Sequence, residues 1–597
     1  MAMVNGSGRG CSGGSSFRLS FAGLHAVGIV AIVALLCWVC FFNGIDSLYP
    51  LDKTEALQLA LADSMATGGD WVTPAIDGLP YFDKPPLPYW IGALMLRLAP
   101  HRLWLPRVGA ALGGCVGVMG TVLLVRFGSG DKSSLRKDAR AVMTAIMLAS
   151  SPGYFLFARV GLHDIYLTAS ITTALAVVFL LSRASRVMPR LQIVAGFVIG
   201  LSLGIGVLAK GLLSLALTVA IAALYLMVAG PAARRPFTWR FGMALLLSLL
   251  LVAAPWHLAA WQAQGGIFLE NYFIRTHVNR FATELDSHAG PWFFYVLAYP
   301  VLTLPWVLPA AAALIEADCL NLRRWRRRVQ SDPLLLFCTI WIGVTVVLLS
   351  LSSTKLPHYI LPSVPPTAIA AAYFFWPVGP RSVRSRRLGQ MLLAATVVVL
   401  LIGALLLAWL PALLIPVSRN TPGFSMALRG QLASSSVVAG VVLLACAGGW
   451  AAWRVRQPQL SLAGLWAGCI LCFLLFQAPA LQRAYHQQVQ RPRLLMAERA
   501  LAVATANEPI QVVEKSWYSI KLHTHGRAEI LNRGKAFGEA SDEAVGRACA
   551  RTGLLLGPSS SVEKTAASCG AGSFTLLYQD TDARLSLGRW QPATPLS

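Results

Sequence analysis

The sequence "GLPYFDKPPLPYW", residues 78–90, places four prolines, several aromatic side chains and an Asp-Lys pair between two strongly apolar regions. Prolines cannot continue a helix, and they restrict the conformational freedom of the unfolded loop. We therefore expect a stiff loop that holds Asp83 and Lys84 at the surface of a membrane. The chemistry of this pair depends on what the rest of the chain brings beside it.

The composition places most of the chain in lipid. Only 13% of the 597 residues are charged and 56% are hydrophobic, whereas a soluble domain carries about 25% charged residues. Apolar runs of about 18 residues, enough to cross a bilayer as a helix, recur along the chain. We predict an α-helical polytopic membrane protein with about thirteen transmembrane helices over residues 21–482, after a disordered cytoplasmic segment, 1–20. The predicted spans lie near 21–42, 105–127, 141–158, 165–182, 191–208, 212–229, 241–261, 293–315, 334–351, 359–376, 391–417, 435–453 and 460–478.

The distribution of the net charge of +24 along the chain indicates which loops face the cytoplasm. Strongly basic loops alternate with neutral or acidic ones, which is the pattern of the positive-inside rule. We therefore expect an inner (plasma) membrane protein with a cytoplasmic N-terminus. An odd number of spans puts the C-terminal segment, 484–597, outside the cytoplasm. This distribution argues against nucleic acid as a partner.

The C-terminal segment differs from the rest because short β-type runs alternate with helix-like stretches, which predicts a small α/β domain. Cys549 and Cys569 lie in it and could pair if the compartment is oxidising. The first outer loop, 43–104, contains an amphipathic pattern with Leu57, Leu61 and Met65 on one stripe. We expect an interfacial helix there, lying along the membrane surface.

Polar residues cluster in the outer loops and at the outer helix ends rather than in mid-membrane, where transporters usually place them. Any one of these residues could be a snorkelling anchor. Several cations on one face, however, suit a phosphate or pyrophosphate held at headgroup depth. The candidates outside the first loop are Asp164, Lys210, Arg275, His277, Arg280, His288, Lys355, His358 and Tyr359.

The run "GDWVTPAIDGLPYFDKPPLPYW" closely resembles the first outer loop of the 4-amino-4-deoxy-L-arabinose lipid A transferase family, a relative of the protein O-mannosyltransferases in the GT-C superfamily of membrane glycosyltransferases. The runs "AKG", "NRF", "HAGPWFFY", "LPW" and "SSTKLPHYILPSVPP" fit the same family. The resemblance covers roughly residues 20–375. It implies transfer of a sugar from a polyprenyl-phosphate donor to a lipid or glycan acceptor, with Lys84 on the donor phosphate and Asp83 shaping the site.

The family's presumed general base is an aspartate that opens the first interfacial helix. In "LDKTEALQLA" this acid corresponds to Asp52 if two extra residues are allowed; without them Thr54 falls at its position and Glu55 matches the glutamate that follows it in the family. We favour Asp52 and keep Glu55 as the alternative. An arginine usual in the family is missing here, which implies that the sugar or the acceptor differs from aminoarabinose and lipid A.

The resulting hypothesis gives each group a role. Asp52 or Glu55 accepts the proton of the acceptor hydroxyl. The departing phosphate is stabilised by Lys84, Arg280 and Lys355, together with Lys210 and a hydrogen bond from Tyr359. Asp164 either orients the base or a substrate, or caps the fourth span. Arg275, His277 and His358 complete the site.

A divalent metal shared by Asp83 and His277 is a further option, although two ligands without close spacing make a poor metal site. Alternative functions are a protein O-mannosyltransferase-like enzyme, a lipid-sugar flippase or transporter, and a non-catalytic assembly factor.

Overall fold

The computed structural model describes residues 21–592, with gaps at 53, 101, 132, 185–186, 283–289, 377–481 (except 387 and 391), 484, 515–516, 532–548 (except 546) and 571. The predicted disordered segment 1–20, His288 and the predicted spans near 391–417, 435–453 and 460–478 therefore lie outside the described residues.

Apolar helices make up most of the described chain. The helices before the first basic loop are α1 (Phe21–Cys37), α2 (Glu55–Gly68), α3 (Leu87–Leu98) and α4 (Arg107–Gly128). The next group is α5 (Ser134–Ser150), α6 (Pro152–Phe157), α7 (His163–Arg183), α8 (Pro189–Lys210), α9 (Leu213–Ala229), α10 (Pro231–Arg234) and α11 (Trp239–Phe268). There follow α12 (Arg280–Ala282), α13 (Phe294–Thr303), α14 (Val307–Glu316), α15 (Trp325–Ser331), α16 (Pro333–Ser350) and α17 (Val364–Phe375).

The number of spans is not confirmed at thirteen. Ten predicted segments coincide with described helices or helix pairs. Five of the described helices are long and apolar enough to cross a membrane, or six when one bent pair counts as a single span. That pair, α13 and α14, was predicted as one straight helix and is bent by 108°. Pro305 accounts for the break, because the residue before a proline avoids helical backbone, and Leu304 is extended with ψ 146°.

Helix α7 is the centre of the membrane bundle, since nearly all of its side chains are buried. It packs against α4, α8 and α9. Its 21 residues extend about 30 Å at 1.5 Å per residue, the thickness of the hydrocarbon core. Because α7 and α8 follow each other through a short connection, the start of α7 and the end of α8 meet at the same membrane face.

A two-residue hairpin introduces the proline-rich loop. Strands β1 (Ala75–Ile76) and β2 (Leu79–Pro80) are antiparallel, and Asp77 and Gly78 connect them with φ of 50° and 78°. Asp-Gly is a preferred pair where both turn residues need positive φ. The chain then passes through Asp83, Lys84, Pro85 and Pro86 into α3, so the loop is fixed by the hairpin at one end and a helix at the other.

The C-terminal segment forms the small α/β unit that the sequence predicted. Its helices are α18 (Arg491–Val503), α19 (Tyr518–His523) and α20 (Ser559–Ser568). The strands β3 (Ile510–Val512), β4 (Ala528–Ile530), β5 (Gly553–Pro558), β6 (Gly572–Asp580) and β7 (Leu585–Pro592) form one sheet in the order β4-β3-β5-β7-β6. A disulfide joins Cys549 to Cys569, with Cα atoms 5.1 Å apart.

Helix α2 coincides with the predicted interfacial helix, and its apolar stripe packs within the protein. Leu61 and Met65 are buried in a cluster that also contains Tyr89 of α3 and Met496 and Ile510 of the C-terminal unit. The apolar face of α2 therefore packs between α3 and the C-terminal unit.

Candidate functional site

Asp83 and Lys84 of the proline-rich loop meet an arginine from a distant part of the chain. The Asp83 carboxylate lies 2.9 Å from the Lys84 ammonium and 2.5 Å from the guanidinium of Arg280. Arg280 begins α12, directly after the π-helical segment Leu269–Asn279 that follows α11. One carboxylate therefore gathers the two cations that the sequence predicted for the donor phosphate.

A second ion pair lies where α7 and α8 meet. Lys210, in the last turn of α8, donates to Asp164 in the first turn of α7. Each charge also suits its helix end, because the N-terminus attracts anions and the C-terminus attracts cations. His358 Nε2 lies 3.8 Å from the second Asp164 oxygen. Asp164 is thus an ion-pair partner as well as a residue of the first helical turn.

Tyr359 connects the two ion pairs. Arg280 donates to its hydroxyl at 3.2 Å, and the Lys210 ammonium lies 4.1 Å from its ring centroid. Together Asp83, Lys84, Asp164, Lys210, Arg280, His358 and Tyr359 form one contiguous group, called here the cation cluster. It brings together three cationic side chains and two carboxylates at one end of the helix bundle.

Lys355 and Arg275 lie beside the cation cluster. The Lys355 ammonium donates to the Ser352 carbonyl, and its neighbour Thr354 donates its backbone N–H to the Arg280 carbonyl at 3.4 Å. The loop that carries Lys355 is thus attached to the backbone of Arg280. Arg275 lies within electrostatic range of Asp83.

His277 supports the turn between α8 and α9. Its Nε2 accepts the backbone N–H of Leu212 at 3.2 Å, and its Nδ1 lies 2.6 Å from the Tyr272 carbonyl. Both ring nitrogens therefore face the backbone, so the side chain is not arranged to share a metal with Asp83. In the described residues, no group of three or more His, Cys, Asp or Glu side chains is arranged to hold a metal ion.

The two first-loop acids are bound by groups that are not members of the cation cluster. Asp52 accepts from Arg493 at 2.8 Å and from the Ser519 N–H at 3.0 Å, both in the C-terminal unit. Glu55 is buried, and its two oxygens accept from Arg107 at 2.6 and 2.7 Å. Glu55 also accepts the N–H groups of Leu51 and Gly161.

The partners of these acids were missed by sequence reasoning. Arg107 also donates to the Ile45 and Leu48 carbonyls, both at 2.8 Å, and so fixes the start of the first outer loop. The sequence did contain a signal for Arg107. It begins a predicted span on the outer side, where the positive-inside rule makes arginine uncommon. For Arg493 the sequence held no such signal, because its partner lies 441 residues away.

The two charges of the proline-rich loop perturb each other. Although burial opposes it, the Lys84 ammonium and the Arg280 guanidinium hold the pKa of the Asp83 carboxyl well below its usual range. Burial, together with the charge of Arg280, lowers the pKa of Lys84 to about 8, although Asp83 acts in the opposite direction. At neutral pH the loop therefore carries an ionised pair with a lysine close to its titration range.

The chain is similar to several known proteins. A family described as dolichyl-phosphate-mannose-protein mannosyltransferase matches residues 83–258. An undecaprenyl phosphate-α-4-amino-4-deoxy-L-arabinose arabinosyl transferase of Pseudomonas aeruginosa strain UCBPP-PA14 is 29% identical over 453 residues, 75% of this chain and 74% of that protein. The protein of the same description from Pseudomonas paraeruginosa is 31% identical over 322 residues, 53% of this chain and 54% of its own length.

The crystal structure of ArnT from Cupriavidus metallidurans bound to undecaprenyl phosphate has the same fold. Its TM-score is 0.74 at 19% sequence identity, with 96% of this chain and 98% of that chain covered. The chain is thus a multi-pass integral membrane protein with the fold of that crystal structure. Within that class, the resemblance to the 4-amino-4-deoxy-L-arabinose lipid A transferases, predicted from the first outer loop, is confirmed.

Proposed function

We propose that the chain is an integral membrane glycosyltransferase that moves a sugar from a polyprenyl-phosphate donor to a lipid A-like acceptor. The observation that carries this proposal is the cation cluster, in which Asp83 joins Lys84 to Arg280 and Tyr359 joins Arg280 to Lys210. The Pseudomonas relatives carry the matching description. The cation cluster would lie on the outer face, with the N-terminus in the cytoplasm and the C-terminal unit outside.

The donor phosphate would bind in the cation cluster by replacing the Asp83 carboxylate as the counter-ion of Lys84 and Arg280. Arg280 presents a planar guanidinium that suits phosphate oxygens, and Lys84 supplies a second charge beside it. When phosphate arrives, these cations would turn from Asp83 to the phosphate. As the bond to the sugar breaks, they would stabilise the growing negative charge on the leaving phosphate, an effect whose loss typically costs about 10²–10³ in rate.

We infer that Asp164 is the carboxylate nearest to the reacting centre. Asp52 and Glu55 are each held by an arginine and by backbone N–H groups outside the cation cluster. Asp164, by contrast, belongs to the cluster. Its partners are Lys210 and His358, and it is buried where the start of α7 meets the end of α8. In this proposal Asp164 accepts the acceptor proton, while Asp52 and Glu55 hold the first outer loop in position.

A transfer assay with single variants tests this assignment. The full-length protein in nanodiscs would be given an undecaprenyl-phosphate-linked aminosugar and lipid A, and the product would be measured by mass spectrometry. Asp164→Asn should abolish transfer while retaining donor binding, whereas Asp52→Asn should leave measurable turnover. Full activity of Asp164→Asn would exclude Asp164 as the base, and loss only in Asp52→Asn would restore the assignment from the sequence.

The protein O-mannosyltransferase-like alternative is favoured by the family match over residues 83–258. The same preparation given polyprenyl-phosphate mannose and an acceptor peptide distinguishes the two. Glycopeptide without modified lipid A would support protein O-mannosylation. Mass spectrometry of envelope lipids and glycoproteins, with and without the gene, would identify the acceptor in cells.

A further inference from the structure

A cavity of about 510 Å³ lies at the ends of α7, α8 and α9 opposite to the cation cluster. Arg183 at the end of α7, Gln192 near the start of α8 and Tyr225 near the end of α9 line it, and Arg235 after α10 completes it. Since α7 extends about 30 Å from Asp164 to Arg183, the cavity lies at the opposite membrane face. It is therefore separate from the site of transfer.

The charges that line this cavity are all positive. Within the part of the chain that the structure describes, its lining contains Arg183 and Arg235 and neither an aspartate nor a glutamate, and neither arginine is in an ion pair. Two other arginines at this face, Arg126 and Arg140, do have acidic partners, Asp138 and Asp131. Two arginines left without counter-charges at one cavity indicate a site for an anion.

The surroundings of the cavity indicate that this anion comes from lipid. Met188 directly before α8, Val194 on α8 and Trp239 at the start of α11 lie near residues that line the cavity, and they are 73%, 55% and 69% exposed. In a membrane these apolar side chains face acyl chains, and tryptophan prefers the depth of the headgroups. The guanidinium groups therefore lie at headgroup depth beside a lipid-facing surface.

We propose that this cavity binds the phosphate of an anionic phospholipid, with the acyl chains lying along α8 and α11. Arg183 and Arg235 hold the phosphate oxygens, and basic pockets between helix ends are known to suit such headgroups. The Tyr225 and Gln192 side chains add polar groups to the wall of the cavity. The bound lipid would join α7, α8, α9 and α10 at the face opposite to the transfer site.

Native mass spectrometry and thermal unfolding of the full-length protein in detergent test this proposal. Dioleoyl phosphatidylglycerol is the probe, and dioleoyl phosphatidylcholine, which is zwitterionic and has no net charge, is the comparison. The wild-type protein should retain phosphatidylglycerol and unfold at a higher temperature in its presence. Arg183→Gln and Arg235→Gln should each weaken this binding by about tenfold, the loss expected for one hydrogen bond to a charged group.

Arg234→Gln is the matched control, because Arg234 is an exposed neighbour that does not line the cavity. It should bind phosphatidylglycerol as the wild-type protein does, and Arg183→Lys should retain part of the affinity if the site requires charge. Equal binding by the wild-type protein and both glutamine variants would overturn the proposal. Stabilisation by inorganic phosphate as strong as that by phosphatidylglycerol would also overturn it, since the site would then bind a free anion.

Discussion

At the residue scale, the Asp83 carboxylate is shared between the side chain that follows it and Arg280, 197 positions further along the chain. The sequence identified Lys84, Arg280 and Tyr359 because each lies in a family-like run at an expected outer helix end. The sequence alone could not show which carboxylate forms ion pairs with Lys84 and Arg280. Asp52 and Glu55 lie within one turn of each other, and only their distant partners, Arg493 and Arg107, determine what each acid does.

Lys84 should give transfer an alkaline limit. With its pKa lowered to about 8, the ammonium is protonated at lower pH and loses its charge as the pH rises through that value. Donor KM should therefore increase above about pH 8. In Lys84→Arg, which stays charged because the pKa of arginine exceeds about 12, the limit should disappear from a pH series of initial rates. Persistence of the same limit in that variant would show that another group titrates.

Tyr359 should contribute through both its hydroxyl and its ring. Tyr359→Phe removes the acceptor of the Arg280 hydrogen bond and keeps the ring beside Lys210, so kcat/KM should fall about tenfold, as for one charged hydrogen bond. Tyr359→Leu removes both contacts and should cost more. Steady-state kinetics of the two variants separate the contributions, and equal losses would show that the hydroxyl contributes nothing.

At the scale of elements, hydrophobicity predicted where the membrane helices lie, and helix pairing explains why their ends converge. The apolar runs of α7 and α8 were visible because 18 or more apolar residues mark a span. The bend between α13 and α14 was not, because its residues are as apolar as those of a straight helix. The Asp164–Lys210 pair follows from two antiparallel neighbours, which a hydropathy pattern does not specify.

Gly211 should be required at the turn between α8 and α9. A Cβ there would lie 2.3 Å from His277 Nε2, and φ is +77°. Gly211→Ala should lower the unfolding temperature, because positive φ disfavours alanine by about 1 kcal/mol and His277 must also move.

Gly230→Ala is the control for the Gly211 variant, since φ is +87° and nothing lies within 4 Å of its added Cβ. It should cost only the backbone contribution. Equal shifts in differential scanning fluorimetry would mean that the contact with His277 contributes nothing.

At the scale of the whole molecule, the C-terminal unit is attached to the first outer loop. The Asp52–Arg493 and Asp77–Lys521 ion pairs and the hydrogen bond from Gln490 to the Tyr49 carbonyl connect them. The sequence predicted the α/β character of this unit from its strand-like runs. Its docking on α2 could not be predicted, because contacts over more than 400 residues leave no local pattern.

Arg493→Ala should loosen this attachment without unfolding the C-terminal unit. Hydrogen exchange should increase in the segment 49–68, since local opening tracks lost contacts, and transfer should slow about tenfold as the loop before Asp83 becomes less fixed.

Arg589→Ala is the matched control for this variant, because Arg589 pairs with Glu508 entirely inside the C-terminal unit. It should leave both the exchange in segment 49–68 and the transfer rate unchanged. If Arg493→Ala exchanges like the wild-type protein, the attachment does not depend on the Asp52 ion pair.

The internal counter-ion at Asp83 also has a consequence for turnover. Because Asp83 already pairs with Lys84 and Arg280, a donor phosphate that arrives in the proposed mechanism would replace one anion with another, and the two cations would keep a counter-ion throughout. Once the sugar has been transferred and the carrier phosphate remains, Asp83 would again be available as the counter-ion of Lys84 and Arg280. The return of Lys84 and Arg280 to Asp83 would then favour release of the carrier phosphate, so that tight binding of the donor would not require slow release of this product.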